Sequence, residues 1–198
     1  LEEEASTVKI QKPKPSLPAV KAPPPTEAAP KTEASSAAAQ AAPTEAPPPA
    51  ESPKPLQKLA IVIDDEPANR DFLTRLIAQA SYTTKGAASG KEAISLTEEL
   101  DGAPMVIVID SELPDTSGME LLRRFRPLYP QTKIIMATMH DNPSLIHEAF
   151  AAGCNAFVVK PHGFMDLFKR LQVLPGDMSV LEKIVFDRYG VREFKGSK

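Results

Sequence analysis

From Leu59 onward, short apolar runs alternate with segments whose apolar residues recur every three or four positions. The runs "LAIVI" (59–63), "MVIVI" (105–109), "KIIMA" (133–137) and "AFVV" (156–159) are rich in β-branched side chains and too short for helices. They predict buried strands. "SYTTKGA" (81–87) alternates more weakly and predicts a half-exposed strand. Between the strands, Phe72, Leu73, Leu76, Ile77 and Ala80 fall at helical spacing behind Pro67, which suits a first helical turn. Ala93, Ile94, Leu96 and Leu100 mark a second helix, and "GMELLRRF" (118–125) a third. "PSLIHEAFAAG" (143–153) starts on Pro143 and stops at Gly153, and "FMDLFKRLQVL" (164–174) closes the series. Five β–α units predict an α/β fold over 59–174, with helices on both faces of a five-stranded parallel sheet.

The flanks read differently. Residues 1–58 hold 13 of the chain's 21 Pro, no Gly, Asp, Arg or aromatic residue, and seven Lys against seven Glu. Such a stretch cannot bury enough apolar surface to offset its ordering entropy, so a disordered Pro/Ala-rich linker or tail is expected. Rich in Pro and free of Gly, it is stiffer than a Gly/Ser tether, with a reach between roughly 40 Å and roughly 180 Å. "KPKPSLP" (12–18) offers the alternative of a ligand for a proline-recognising domain. At the other end, Met178, Leu181, Ile184 and Val185 share one possible helical face in 175–198. A short helix is expected there, packed on its own domain or against a partner.

Composition narrows the function classes. A net charge of −3 over 198 residues argues against a basic nucleic-acid surface or a polybasic membrane patch. One cysteine, Cys154, excludes an intramolecular disulfide and a multi-cysteine zinc site. No apolar stretch approaches the roughly 18 residues of a membrane span. The start lacks the basic and apolar blocks of a signal peptide and an initiator Met, which fits a piece of a longer or processed protein. A cytoplasmic setting is the expectation.

The chemistry gathers at the strand ends. Ligands of an open parallel sheet sit outside the carboxyl ends of its strands. There the sequence places Asp64, Asp65 and Glu66 after the first strand, Asp110 after the third, Thr138 after the fourth and Lys160–Pro161 after the fifth. Three carboxylates a few ångströms apart repel by about 1 to 4 kcal/mol per pair, so they must raise their pKa values or recruit a cation. Hard oxygen donors suit Mg2+, which keeps waters and accepts a phosphate as a further ligand. Lys160 and Thr138 complete a cradle for a phosphoryl group, with Asp110 as the nucleophile.

The segments "IVIDDEP", "VIVIDSELPDTSGMELL", "KIIMAT" and "NAFVVKP" together resemble the receiver domain of bacterial two-component response regulators. The resemblance spans about residues 59–174. It implies a flavodoxin-like, doubly wound sheet of order 2-1-3-4-5. It also implies phosphorylation on Asp110, Mg2+ bound directly by Asp65, through water by Asp64, and by Asp110 and the Glu112 backbone carbonyl. Thr138 matches the family's switch hydroxyl, Phe157 its switch aromatic and Lys160 the lysine that pairs with the phosphoryl group. Pro161 matches a proline that usually follows a cis bond. Phe157 stands where tyrosine is commoner, Met139 where a small residue is usual, and Glu112 puts an anion beside the incoming phosphate. Access to the phosphorylated aspartate should therefore be narrowed and hydrolysis slow.

The implied partners are a histidine kinase or phosphotransfer protein as donor and a downstream protein on the face built from 143–173. A homodimer is a further possibility; nucleic acid and membrane are not expected, nor is a separate catalytic domain. The competing functions are an aspartate-nucleophile phosphatase and a receiver-like scaffold that is never phosphorylated. The phosphatase pattern wants an acid two residues after the nucleophile and Thr or Val two beyond; Glu112 and Pro114 stand there.

Overall fold

The computed structural model describes residues 55–196. The strands are β1 (Leu56–Ile63), β2 (Thr83–Ala87), β3 (Ala103–Asp110), β4 (Lys133–Thr138), β5 (Ala156–Val159), β6 (Ile184–Asp187) and β7 (Gly190–Glu193). The helices are α1 (Pro67–Gln79), α2 (Gly90–Glu98), α3 (Gly118–Leu128), α4 (Pro143–Ala151) and α5 (Phe164–Val173). One sheet contains all seven strands in the order β2-β1-β3-β4-β5-β6-β7. The expected order 2-1-3-4-5 is there, and all pairs up to β5–β6 are parallel.

Strand alternation sends the apolar side chains to two cores. Ile61, Ile63, Ile107, Ile109, Ile134, Met136 and Phe157 lie on one face with Leu122 and Phe125 of α3 and Ile146 of α4. Ala60, Val62, Val106, Val108, Ile135 and Val158 lie on the other with Leu73 and Ile77 of α1 and Leu167 and Leu171 of α5. Burying each Ile, Leu or Phe contributes about 1.5–3 kcal/mol. Apolar side chains on both faces explain why these strands read as unbroken hydrophobic runs.

Three expectations need correction. The five parallel strands of the expected fold are all present, but the sheet does not stop at them: β6 and β7 extend it to seven. Residues 175–196 are not a packed helix alone: a four-residue 3-10 helix at Met178–Leu181 is followed by β6 and an antiparallel β7. Ile184 and Val185 leave the proposed helical face because "IVFD" finds an open strand edge at β5. The β6–β7 turn is built by Asp187, whose carboxylate accepts from the Tyr189 amide at 2.8 Å and the Arg192 guanidinium at 2.8 Å, and by Gly190 at φ +102°. Third, β1 begins at Leu56, so the sheet starts inside the stretch assigned to the 1–58 linker. The linker and proline-ligand readings of residues 1–54 fall outside the described residues.

Arg126 lies in the last turn of α3 and fastens it to its surroundings. Its guanidinium donates to the carbonyls of Gly153, Tyr129 and Thr132 and to Asn155 Oδ1, tying α3 to the turns before β4 and β5. Among the described residues, no helix is long and apolar enough to cross a membrane.

Candidate functional site

Parallel registry delivers the polar strand ends to one rim. Ile63 aligns with Ile109, Asp110 with Ala137, and Thr138 with Val159. Asp64, Asp110, Thr138 and Lys160 therefore emerge side by side, and all four are buried. Asp65 is exposed beside them. One carboxylate oxygen from each of Asp64, Asp65 and Asp110 lies within 4.8 Å of the others. Such a set of hard oxygen donors fits a small divalent cation such as Mg2+.

Lys160 is the countercharge. Its Nζ lies 2.5 Å from Asp110 Oδ2 and 2.7 Å from Asp64 Oδ2, with the lysine side chain 2% exposed. Asp64 also accepts from the Glu66 amide at 3.0 Å. Burial nevertheless pushes the Asp64 carboxyl above its ordinary 3.8; the bond and charge of Lys160 pull it down, and the Asp110 charge adds to the rise. Between 3.8 and that raised value the folded chain binds more protons than the unfolded one. Stability from Asp64 protonation is therefore lost as pH rises through this window. An uncharged isostere escapes the desolvation cost. Asp64→Asn is expected to melt at a higher temperature than wild type at pH 7 while binding Mg2+ about tenfold more weakly. Calorimetry with and without Mg2+ checks both; a lower melting temperature would refute the first part.

The loop after Asp110 is fastened from several sides. Ser111 continues the ladder through its amide to Ala137 O at 2.9 Å, and Gly118 donates to Ser111 O at 3.0 Å. Glu112 bridges to Ser117, which caps α3 in a reciprocal box with Glu120. A Cβ on Gly118 would stand 2.0 Å from the Asp110 carbonyl oxygen, so only glycine fits there. Asp115 accepts from the amides of Gly90 and Lys91 at the start of α2, at 2.8 and 2.9 Å, and those bonds hold its carboxyl below the ordinary range. On the facing side, Arg70 of α1 donates to the carbonyls of Asp64 at 2.6 Å and Asp65 at 3.3 Å.

A cavity of about 420 Å³ opens over this rim, lined by Asp65, Glu66, Asn69, Asp110, Ser111, Glu112, Met139, His140 and Lys160. Met139 is 62% exposed, and Glu112 Oε1 lies 3.5 Å from His140 Nε2. Thr138 Oγ1 accepts from the His140 amide at 3.1 Å. Phe157 lies in the core. The peptide bond between Lys160 and Pro161 is cis. Cys154 is remote from this chemistry: burial pushes its thiol up to about 12.

The structure thus brings Asp64, Asp65, Asp110, Glu112, Met139 and Lys160 together. Thr138 stands at the same rim, and Phe157 lies beneath it. Sequence reasoning gave no role to Arg70, Asn69, Asp115 or His140. Asp115 and Gly118 carried a local signal, as loop-formers after Asp110; Arg70 acts on carbonyls five and six residues earlier, which no motif displays.

Comparison with known proteins agrees with this geometry. The chain is 30% identical over 105 residues to the chemotaxis protein CheY of Thermotoga maritima, a match covering 52% of this chain and 86% of CheY. It is 29% identical to the transcriptional regulatory protein TrcR of Mycobacterium tuberculosis over 62% of this chain and 47% of TrcR. It is 31% identical to the sensor kinase CckA of Brucella abortus over 54% of this chain and 11% of CckA. The chain therefore spans less than half of the last two relatives. Among solved structures, the BeF3-activated DrrB receiver domain matches with a TM-score of 0.54 and 26% identity, over 61% of this chain and 98% of that one. CheY4 of Vibrio cholerae matches with 0.53 and 28%, over 59% and 97%. Residues 60–172, more than half of the chain, match the family model of the response regulator receiver domain. With the acidic rim placed where that family's fold gathers its strand ends, this chain belongs to the response regulator receiver domain family.

Proposed function

We propose that this chain accepts a phosphoryl group on Asp110 in a two-component phosphorelay and uses it to switch a protein-binding surface. One observation carries this reading: the buried Lys160 ammonium sits between Asp110 and Asp64 while Asp65 faces the same cavity. A bound Mg2+, held by Asp64, Asp65, Asp110 and the Glu112 carbonyl, would neutralise negative charge and orient the donor phosphate. A carboxylate oxygen of Asp110 then forms the new bond to phosphorus as the bond to the donor's phosphohistidine nitrogen breaks. Lys160 moves from the Asp110 carboxylate to a phosphoryl oxygen, and the charge of Asp64 and Asp65 would be balanced by the metal they hold.

The phosphoryl group carries about −1.5 to −2 of charge, by analogy with other phosphorylated side chains, in place of the single charge of the carboxylate, and moves it outward onto three oxygens. That charge draws the Thr138 hydroxyl from the His140 amide toward the phosphate. Phe157, already buried beneath Thr138, packs closer into the space vacated beside that hydroxyl, and the face formed by 143–173 adjusts with it. A histidine kinase or phosphotransfer protein is the donor, in the cytoplasm, and the downstream partner is a protein. Residues 56–174 carry this module.

Intact mass after incubation with acetyl phosphate and Mg2+ tests the reading. One phosphoryl adduct is expected in wild type and none in Asp110→Ala or without Mg2+. An adduct that persists in Asp110→Ala, or its absence from a wild-type chain that binds Mg2+, would overturn it. Met139 and Glu112 line the entrance, so the adduct should decay slowly once the donor is removed; the same samples followed in time report this.

A further inference from the structure

We propose that β6, through Val185, is a positioning element of the phosphoryl site: it holds Phe157 buried and so favours capture of the phosphoryl group. This rests on the function proposed above. In a five-stranded sheet β5 would be the edge, and one flank of Phe157 would face water. Here β6 pairs with β5, aligning Phe157 with Val185, while Met136 aligns with Phe157 on the other side. Phe157 is thus the middle of a row across three strands, with Ile146 of α4 in the same core. Phe157 and Val185 are both 0% exposed.

Thr138 aligns with Val159, two residues beyond Phe157, so Thr138, Val159 and Phe157 point to one face of the sheet. The ring is therefore a diagonal neighbour of the hydroxyl that must move toward the phosphate. With Val185 in place, an outward ring position is closed off. A site whose competent conformer is already populated loses none of its affinity to rearrangement; one that must recruit the ring loses the unpopulated fraction.

The segment is anchored away from the acidic rim. Glu182 pairs with the buried Lys133 and accepts from Asn155 Nδ2 at 3.3 Å. Phe186 lies against Gly163, where a Cβ would stand 2.7 Å from its own Cβ. Phe194 stacks on Phe150 of α4 at 4.3 Å between ring centroids and meets His147 edge-on at 4.8 Å. None of these contacts involves Asp64, Asp65 or Asp110, so β6 can bias phosphoryl capture without altering the acidic ligands.

Beryllofluoride, a phosphoryl analogue, tests the idea in the full chain. Wild type and Val185→Ala are titrated with Mg2+ alone and with beryllofluoride at saturating Mg2+, the latter followed by fluorine NMR. Val185→Ala is expected to bind beryllofluoride about fivefold more weakly, with Mg2+ affinity unchanged. The same split is expected whether the substitution opens a gap beside the ring or frees the whole segment. Phe194→Ala, which loosens the segment from α4 without touching the row, should weaken beryllofluoride in the same direction. Unchanged beryllofluoride affinity in Val185→Ala overturns the proposal, as does a parallel loss of Mg2+ affinity, which would mark general damage. A wild-type chain that binds Mg2+ but no beryllofluoride overturns this inference and the proposed function together; binding in wild type with no effect of Val185→Ala overturns the inference alone.

Discussion

Lys160→Met is expected to destabilise the folded chain by about 3–5 kcal/mol at pH 7. Methionine keeps the length and apolar stem of the side chain, so packing changes little. What disappears is the ammonium that lies 2.7 Å from Asp64 and 2.5 Å from Asp110. Asp64 and Asp110 then face each other in a buried site with their charges uncompensated. The loss far exceeds that of an exposed ion pair such as Arg75–Asp71, worth at most about 1 kcal/mol. Two conditions should restore stability: added Mg2+, which supplies positive charge to the same carboxylates, and acid, which protonates them. Urea unfolding at neutral and mildly acidic pH, with and without Mg2+, reads all of this. A loss below about 1 kcal/mol that ignores both Mg2+ and pH would mean that Lys160 is not the main compensating charge.

Gly118→Ala should cost about 3 kcal/mol, the upper range for overpacking. The new methyl would meet the Asp110 carbonyl oxygen at 2.0 Å and the Ser111 Cα at 3.0 Å. These are backbone atoms, held by the Ser111–Ala137 and Gly118–Ser111 hydrogen bonds, and cannot swing aside as a side chain could. Relief requires the 111–117 loop to lift from β3, carrying Asp110 with it. Reduced stability should therefore come with weakened Mg2+ binding. Denaturant unfolding paired with a Mg2+ titration checks the coupling; intact Mg2+ affinity in a destabilised variant would separate the loop from the site.

How legible all this was differs along the chain. Buried parallel strands advertise themselves because both faces are apolar, and "VIVID" and "KIIMAT" could hardly be read otherwise. The rim followed, since parallel strands must end together and their last residues were Asp, Thr and Lys. β6 escaped because four residues are too few to display a period, and Met178, Leu181, Ile184 and Val185 fit a helical spacing equally well. The β-branched Ile184–Val185 pair and the turn "DRYG" were the signals that could have decided it. Leu56–Lys58 escaped for another reason: their side chains are only partly covered, and Pro55 hid them in a proline-rich context. The role of Arg126 was not legible because its partners are backbone carbonyls in two turns, before β4 and before β5, which leave no trace in composition.

The reversal of direction at β7 has a mechanical consequence. The described chain enters the sheet at Leu56, whose strand partner is Ala103 at the start of β3, and leaves it at Glu193, which pairs with Ile184 at the start of β6. Entry and exit therefore share one pole, and the carboxylates occupy the other. Force applied at Leu56 or at Glu193 loads the sheet at the pole opposite Asp64 and Asp110. The cavity over Asp110 thus opens at the pole opposite both Leu56 and Glu193.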